Sequence, residues 1–291
     1  MTLLYCRILY TVAEQGSFLK AAELLNLTPS AVSHSVSSME AELGFQVFNR
    51  NKSGVTLTSY GEEIYPMVVN LLNSEENLKQ VVDRLNGLKR GTVRIGAFNS
   101  VCIQWMPQIL KAYHEKFPYI DVEVYEGTYD DVIHWLGTGI VEMGFLSASC
   151  AADLQLMPLY VDPLVCIAPK GFETKKRGVI TVEELQDQRF VIQRESCDAD
   201  IKKYLNDQHL NIRSSCHVTD DQSTVAMVES GLGIGLMPEL TSRNLAHNVE
   251  VLKLEPSADR TIGLALANKK SLTPAAKELS QVILAEVENF R

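Results

Sequence analysis

The sequence predicts a mainly α winged helix-turn-helix over residues 1–60, a long linker helix over 61–90 and an α/β region of two small lobes over 91–291. Three observations carry this. Two short helical patterns with clear start signals occupy 17–44, an apolar four-three alternation runs through 64–85, and strand-length apolar runs alternate with helical ones from residue 92.

Ser17 stands where a side-chain oxygen caps a helix, and Ala21, Ala22, Leu24 and Leu25 follow at helical spacing. Asn26 and Leu27 make a short turn. Thr28 then Pro29 is a strong second start, a capping hydroxyl followed by proline where its missing N–H costs nothing. In this second helix Val32, Val36, Met39 and Leu43 fall on one face, leaving Ser30, Ser33, His34 and Ser37 outward. The small pair Ala21-Ala22 permits the close helix crossing that a helix-turn-helix needs, and the outward residues then face the DNA major groove. After Gly44, residues 47–50 and 55–57 read as the two strands of a wing, with Arg50 and Lys52 suited to phosphate contact.

From residue 61 to 88 one helix is expected, with Ile64, Val68, Leu71, Leu78, Val82 and Leu85 in coiled-coil period and Glu75 as the polar break. Pro66 should loosen its first turns. Gly87 and Lys89-Arg90-Gly91 read as the hinge that follows. Beyond it, strands at 93–96, 122–125 and 143–146 alternate with helices at 103–117 and 130–136. A second series has strands at 164–168, 190–192, 212–218 and 234–236 and helices at 182–185, 199–208 and 223–230. A strand at 261–267 and a helix at 274–290 close the chain. Such alternation predicts mostly parallel sheet covered by helices, and two such series suit two lobes.

The ordered set Val12-Ala13-Glu14, Gly16-Ser17-Phe18, Ala21-Ala22, Ala31-Val32-Ser33, Glu40, Leu43-Gly44, Phe48, Arg50, Leu57-Thr58 and Gly61 resembles the DNA-binding head of LysR-type transcriptional regulators. The resemblance is close over about the first ninety residues and looser beyond. It implies a two-lobed effector-binding domain similar to periplasmic binding proteins, joined by two crossover strands. One lobe would comprise residues near 91–161 plus 268–291, the other 162–267. It also implies an intersubunit linker helix, hence a homodimer through 61–88 and a homotetramer, with allosteric control of operator DNA by a small molecule. The chain departs from the family pattern at His34 and Ser35, where Arg then Gln is usual, and at Ser37 and Ser38.

Charge reinforces that departure. Residues 1–60 balance Arg7, Lys20, Arg50 and Lys52 against Glu14, Glu23, Glu40 and Glu42, so the whole net charge of −9 belongs to residues 61–291. A single head should bind DNA weakly, since phosphate neutralisation supplies non-specific affinity, and linked heads would supply the rest.

Ligands of open parallel sheets lie beyond the carboxyl ends of strands. That rule nominates Asn99, Ser100 and Val101, then Thr128, then Gln193 to Asp198 including Cys197, and Thr219 with Asp220. The resemblance adds that similar regulators hold effectors with hydroxyls near Ser100 and Thr128, and that peroxide-sensing members place a reactive cysteine close to Cys197. A thiol sensor acting through Cys197 is therefore the alternative reading. Gln193 and Arg194 suit a small carboxylate, whereas Asp198, Asp220 and Asp221 suit an amine or zwitterion. The six cysteines and six histidines lack zinc-site spacing, so no metal and no cofactor is expected. The glycine string 231–235 closes a helix and opens a strand, the reverse of a nucleotide loop. Without a nucleophile elbow, a His-Glu-x-x-His helix or a Walker loop, no enzyme is expected. Neither a signal peptide nor an apolar run of membrane length is seen, which points to the cytoplasm of a bacterial cell.

Overall fold

In the computed structural model the head begins with α1 (Leu3–Gln15), where Thr2 caps the helix and Cys6, Ile8, Leu9 and Val12 are buried. The sequence reading passes over this helix, which has neither proline nor a charged first turn to announce it. The described residues are 1–51, 54–86, 90–151, 154–193, 199–218, 220–245, 248–267 and 272–290. Ser17 caps α2 (Phe18–Leu24), which buries Ala21 and Ala22. Thr28 caps α3 (Pro29–Leu43) by accepting from the Ala31 amide at 3.1 Å, and Val32, Val36 and Met39 enter the core. Gly44 ends α3 at φ 84°, a left-handed conformation costly for residues with a Cβ. β1 (Phe48–Asn51) and β2 (Gly54–Leu57) pair antiparallel as the wing. The Glu40 carboxylate accepts from the Val47 and Phe48 amides at 2.8 and 3.2 Å, fixing the wing to α3.

Next, α4 (Ser59–Leu85) runs as one helix with Pro66 inside it. Its expected seam divides. Val68 is buried within its own chain, whereas Leu71, Leu78, Val82 and Leu85 are exposed, Leu78 by 65% and Leu85 by 78%. Glu75 pairs with Lys79 at 3.0 Å and with Arg7 of α1 at 2.5 Å. Toward the C-terminal region, Asn73 donates to the Gly139 carbonyl at 2.7 Å and Gln80 to the Thr92 carbonyl at 3.0 Å. Of the expected hinge, residues 87–89 lie outside the described residues, and Gly91 already begins the next strand.

The first lobe contains β3 (Gly91–Ala97), α5 (Asn99–Gln104), α6 (Met106–Lys116), β4 (Ile120–Glu126), α7 (Tyr129–Thr138) and β5 (Met143–Ser147). The single helix expected over 103–117 is two helices that meet at the buried Trp105. Pro107, having no N–H, cannot bond the Ile103 carbonyl, so the helix restarts there. The chain then crosses through β6 (Leu156–Pro169) into β7 (Val179–Thr181), α8 (Val182–Gln186), β8 (Arg189–Gln193), α9 (Ala199–Asp207), β9 (Arg213–Val218), α10 (Asp221–Glu229), β10 (Gly235–Pro238), α11 (Glu239–Leu245) and β11 (Val249–Glu255). It returns through β12 (Asp259–Leu266) and ends in α12 (Pro274–Glu288).

The strand order is β4-β3-β5-β12-β6-β11-β7, with β10 also on β6, and β8 pairs with β9. The expectation of mostly parallel sheet is corrected. β4, β3 and β5 are parallel, but β12 is antiparallel to both β5 and β6, and β6 is antiparallel to β10 and β11. Parallel pairing requires a crossover on the same sheet, whereas β6 and β12 travel in opposite directions between lobes. Ile262–Leu266 of β12 pair with β5 of the first lobe. One apolar cluster joins the head, α4 and the first lobe, and two smaller clusters lie in the second lobe. Where the glycine string ends α10, a Cβ on Gly233 would lie 2.5 Å from the Arg189 carbonyl oxygen, so this is a close-packing turn.

Candidate functional site

On the head, Thr28, Pro29, Ser30, His34, Ser37 and Arg50 are exposed and Ser33 is half-buried. They form one face because the buried positions of α3 fall opposite. Arg50 reaches back from β1: its guanidinium lies 4.6 Å from the centre of the Phe18 ring, and Nη1 donates to Ser33 Oγ at 3.4 Å. The wing cation thus stands directly beside the serine face. Lys52 lies outside the described residues.

Between the lobes the dominant structure is a network that the sequence reading missed. Arg260 of β12 and Asp162 of β6 are 3% and 0% exposed, and they meet where the two crossing strands run side by side. Arg260 Nε donates to Asp162 Oδ2 at 2.9 Å with Nη2 in ion-pair contact with the same oxygen at 2.8 Å, Nη1 donates to Tyr129 Oη at 2.9 Å, and Nη2 donates to Ser100 Oγ at 2.8 Å. Phe98 lies under the guanidinium at 5.0 Å. Asp162 Oδ1 accepts from the Leu240 amide of α11 at 2.9 Å, so the network reaches into the second lobe. Burial disfavours the guanidinium charge, but Tyr129 and Asp162 outweigh it and hold Arg260 above its ordinary value. The signal that could have located this network is a lone Asp162 inside the apolar β6 and an Arg260 near the start of the mostly apolar β12.

Two more contacts bridge the lobes. Ser147 Oγ at the end of β5 donates to Asp200 Oδ1 of α9 at 3.0 Å, and Gln104 donates to the Leu240 carbonyl at 3.1 Å.

The nominated effector residues are placed unevenly. Asn99 is exposed and donates to Glu126 at 3.2 Å. Ser100 is buried with its hydroxyl on Arg260, and Val101 is a core residue at 0% exposure. Thr128 is the cap of α7 in a reciprocal capping box with Asp131. Asp220 caps α10, and its hydrogen bonds from the Ser223 amide and hydroxyl hold its carboxyl below the usual range. Gln193 ends β8. Cys197, Asp198 and Thr219 lie outside the described residues. Helix starts explain why Thr128 and Asp220 look like ligand residues, since both roles use a short polar side chain beside free amides.

Among the described residues Cys6, Cys102 and Cys166 are free thiols. Burial pushes Cys102 up to about 12 and also raises Cys6 and Cys166, the opposite of an activated thiolate. Among the described residues no group of three metal-ligating side chains forms, and no helix is long and apolar enough to cross a membrane.

Residues 86–288 match the LysR substrate binding domain, and residues 4–62 match the bacterial regulatory helix-turn-helix protein, lysR family. The chain belongs to the LysR family. Across its length it is similar to the uncharacterized HTH-type transcriptional regulator YvbU of Bacillus subtilis, at 27% identity over 95% of this chain and 96% of YvbU. Among solved structures, a full-length OxyR variant from Pseudomonas aeruginosa has a TM-score of 0.76 at 23% identity, covering 98% of both chains. The effector binding domain of QuiR in complex with shikimate has a TM-score of 0.61 at 22% identity, covering 69% of this chain and 98% of that domain. These likenesses establish the fold of a LysR regulator: helix-turn-helix head, linker helix and α/β effector-binding domain.

Proposed function

We propose that this LysR-family regulator reads operator DNA with Thr28, Pro29, Ser30, Ser33, His34, Ser37, Arg50 and Lys52, and that a small molecule held between its two lobes governs that binding. The observation that carries the reading is the narrow connection between lobes. Two strands cross, and among the described residues the side-chain bridges between the lobes are those at Ser147, Gln104, Tyr160 and the Asp162 network. A ligand binding the two lobe arrangements unequally therefore shifts their balance, and one binding both equally shifts nothing. The link to the head runs through α4: Tyr65 donates to Glu14 of α1 and stacks on Tyr10 with ring centres 6.2 Å apart, while Asn73 of the same helix donates to the Gly139 carbonyl of the first lobe at 2.7 Å. Lobe movement thus bears on head placement, and with it on the spacing and bend of the DNA. That QuiR's domain holds shikimate is consistent with a small-molecule effector here.

The exposed Leu71, Leu78, Val82 and Leu85 support a homodimer through α4, from which a tetramer would be built, acting on DNA in the cytoplasm. The test is footprinting on the chain's own upstream DNA with and without a metabolite panel and an oxidant. A protected region that shortens or moves with one metabolite is expected. Movement with oxidant alone would transfer control to Cys197, and no protection at low salt would sink the DNA-binding reading.

A further inference from the structure

Asp200 stands in the first turn of α9 in the second lobe, and its side chain meets the first lobe at Ser147. Among the described residues only one of its oxygens has a partner. Oδ1 accepts from Ser147 Oγ, which also lies 3.1 Å from Ser149 Oγ, while Oδ2 is buried with no hydrogen-bond partner among the described residues. The residue as a whole is 8% exposed. A buried carboxylate oxygen without a donor is destabilising, so its retention at the lobe interface needs a physical reason.

The surrounding charges narrow that reason. Arg260, the buried cation between the lobes among the described residues, is already neutralised by Asp162 and bonded to Tyr129 and Ser100. Lys202 and Lys203 lie on α9 itself and are exposed. A carboxylate entering here would meet an uncompensated carboxylate, whereas a cationic N–H donor would complete it. We infer that the molecule taken between the lobes carries an ammonium or guanidinium group that donates to Asp200 Oδ2, with the Ser147 and Ser149 hydroxyls beside it. This rests on the cleft reading above and selects the amine or zwitterion over the simple carboxylate.

The test is calorimetric titration of the full chain with primary amines of two to six carbons and with the acids, amino acids and alcohols of matching skeleton. At least one amine or amino acid should bind about tenfold or more tighter than its matched acid and alcohol, the range expected of a charge-assisted hydrogen bond. Asp200→Asn keeps the size and the acceptor for Ser147, and should reduce that preference to about unity while DNA binding persists. Acids or alcohols preferred by the wild type, or an amine preference that survives in D200N, would overturn the inference. The wild-type series decides alone should D200N not fold. If an acid or alcohol binds and moves the footprint, the cleft reading stands and the role of Asp200 falls. If no probe binds and none moves the footprint, both fall.

Discussion

Replacing Asp162 with Asn removes one charge from a pair that has almost no access to water, Arg260 at 3% exposure and Asp162 at 0%. Asn retains an acceptor for the Leu240 amide, so the change isolates the ionic part of the network. The guanidinium keeps Tyr129 and Ser100 but loses the carboxylate charge that accepts from Nε and lies against Nη2. Breaking a buried pair on one side costs about 3–5 kcal/mol, because the surviving charge stays desolvated. For a region of about 200 residues that corresponds to a fall in Tm of roughly 6–20 °C. Urea unfolding followed by tryptophan fluorescence suits the question, since Trp105 and Trp135 are the chain's two tryptophans and both lie in the first lobe. Adding Arg260→Met removes the stranded charge, so the double variant should be more stable than the sum of the single losses by about 1 kcal/mol or more. A single variant within about 1 kcal/mol of wild type, or strict additivity in the double, would refute the idea that this pair holds the crossing strands together.

Three other outcomes are expected. Arg50→Glu should lower operator affinity at least tenfold and reduce the slope of log K against log salt by about one, leaving effector binding unchanged, as anisotropy titrations over a salt series would report. Normal affinity would refute the wing contact. Leu78→Glu places a charge on an exposed position, so the fold should persist while sedimentation shows loss of the dimer; an unchanged sedimentation coefficient would move the interface elsewhere. Burial raises the Glu142 carboxyl above its ordinary value against the opposing Thr273 hydrogen bond. Its contribution is therefore fully present below the unfolded value of about 4.3 and lost as pH rises through the folded one. Glu142→Gln should flatten that decline and raise Tm at pH 7; an unaltered Tm–pH profile would show that Glu142 carries no such penalty.

The head was legible because its determinants are local. The Ser17 cap, the Thr28-Pro29 start and the Val32, Val36, Met39 face each lie within a few residues of what they specify, and each reappears in α2 and α3. The amphipathic period of α4 was equally local, yet which of its apolar residues the chain covers was not. Val68 is buried and Leu78 is bare because α1 and the first lobe pack against only part of the helix, a fact of docking rather than of periodicity.

In the effector-binding domain the sequence by itself determined that strands and helices alternate, and it located most of them. It did not determine strand direction, because an apolar run has no parallel or antiparallel mark. Nor could it expose the site. Arg260 lies 98 residues from Asp162 and 160 from Ser100, and Ser147 lies 53 from Asp200. Asn99, Thr128 and Asp220 drew notice as short polar residues near helix starts, but position along the chain does not say whether an oxygen caps its own helix or faces a ligand. That choice was made when β6 and β12 crossed side by side, since only then did the buried charges acquire partners and Asp200 an oxygen with none among the described residues.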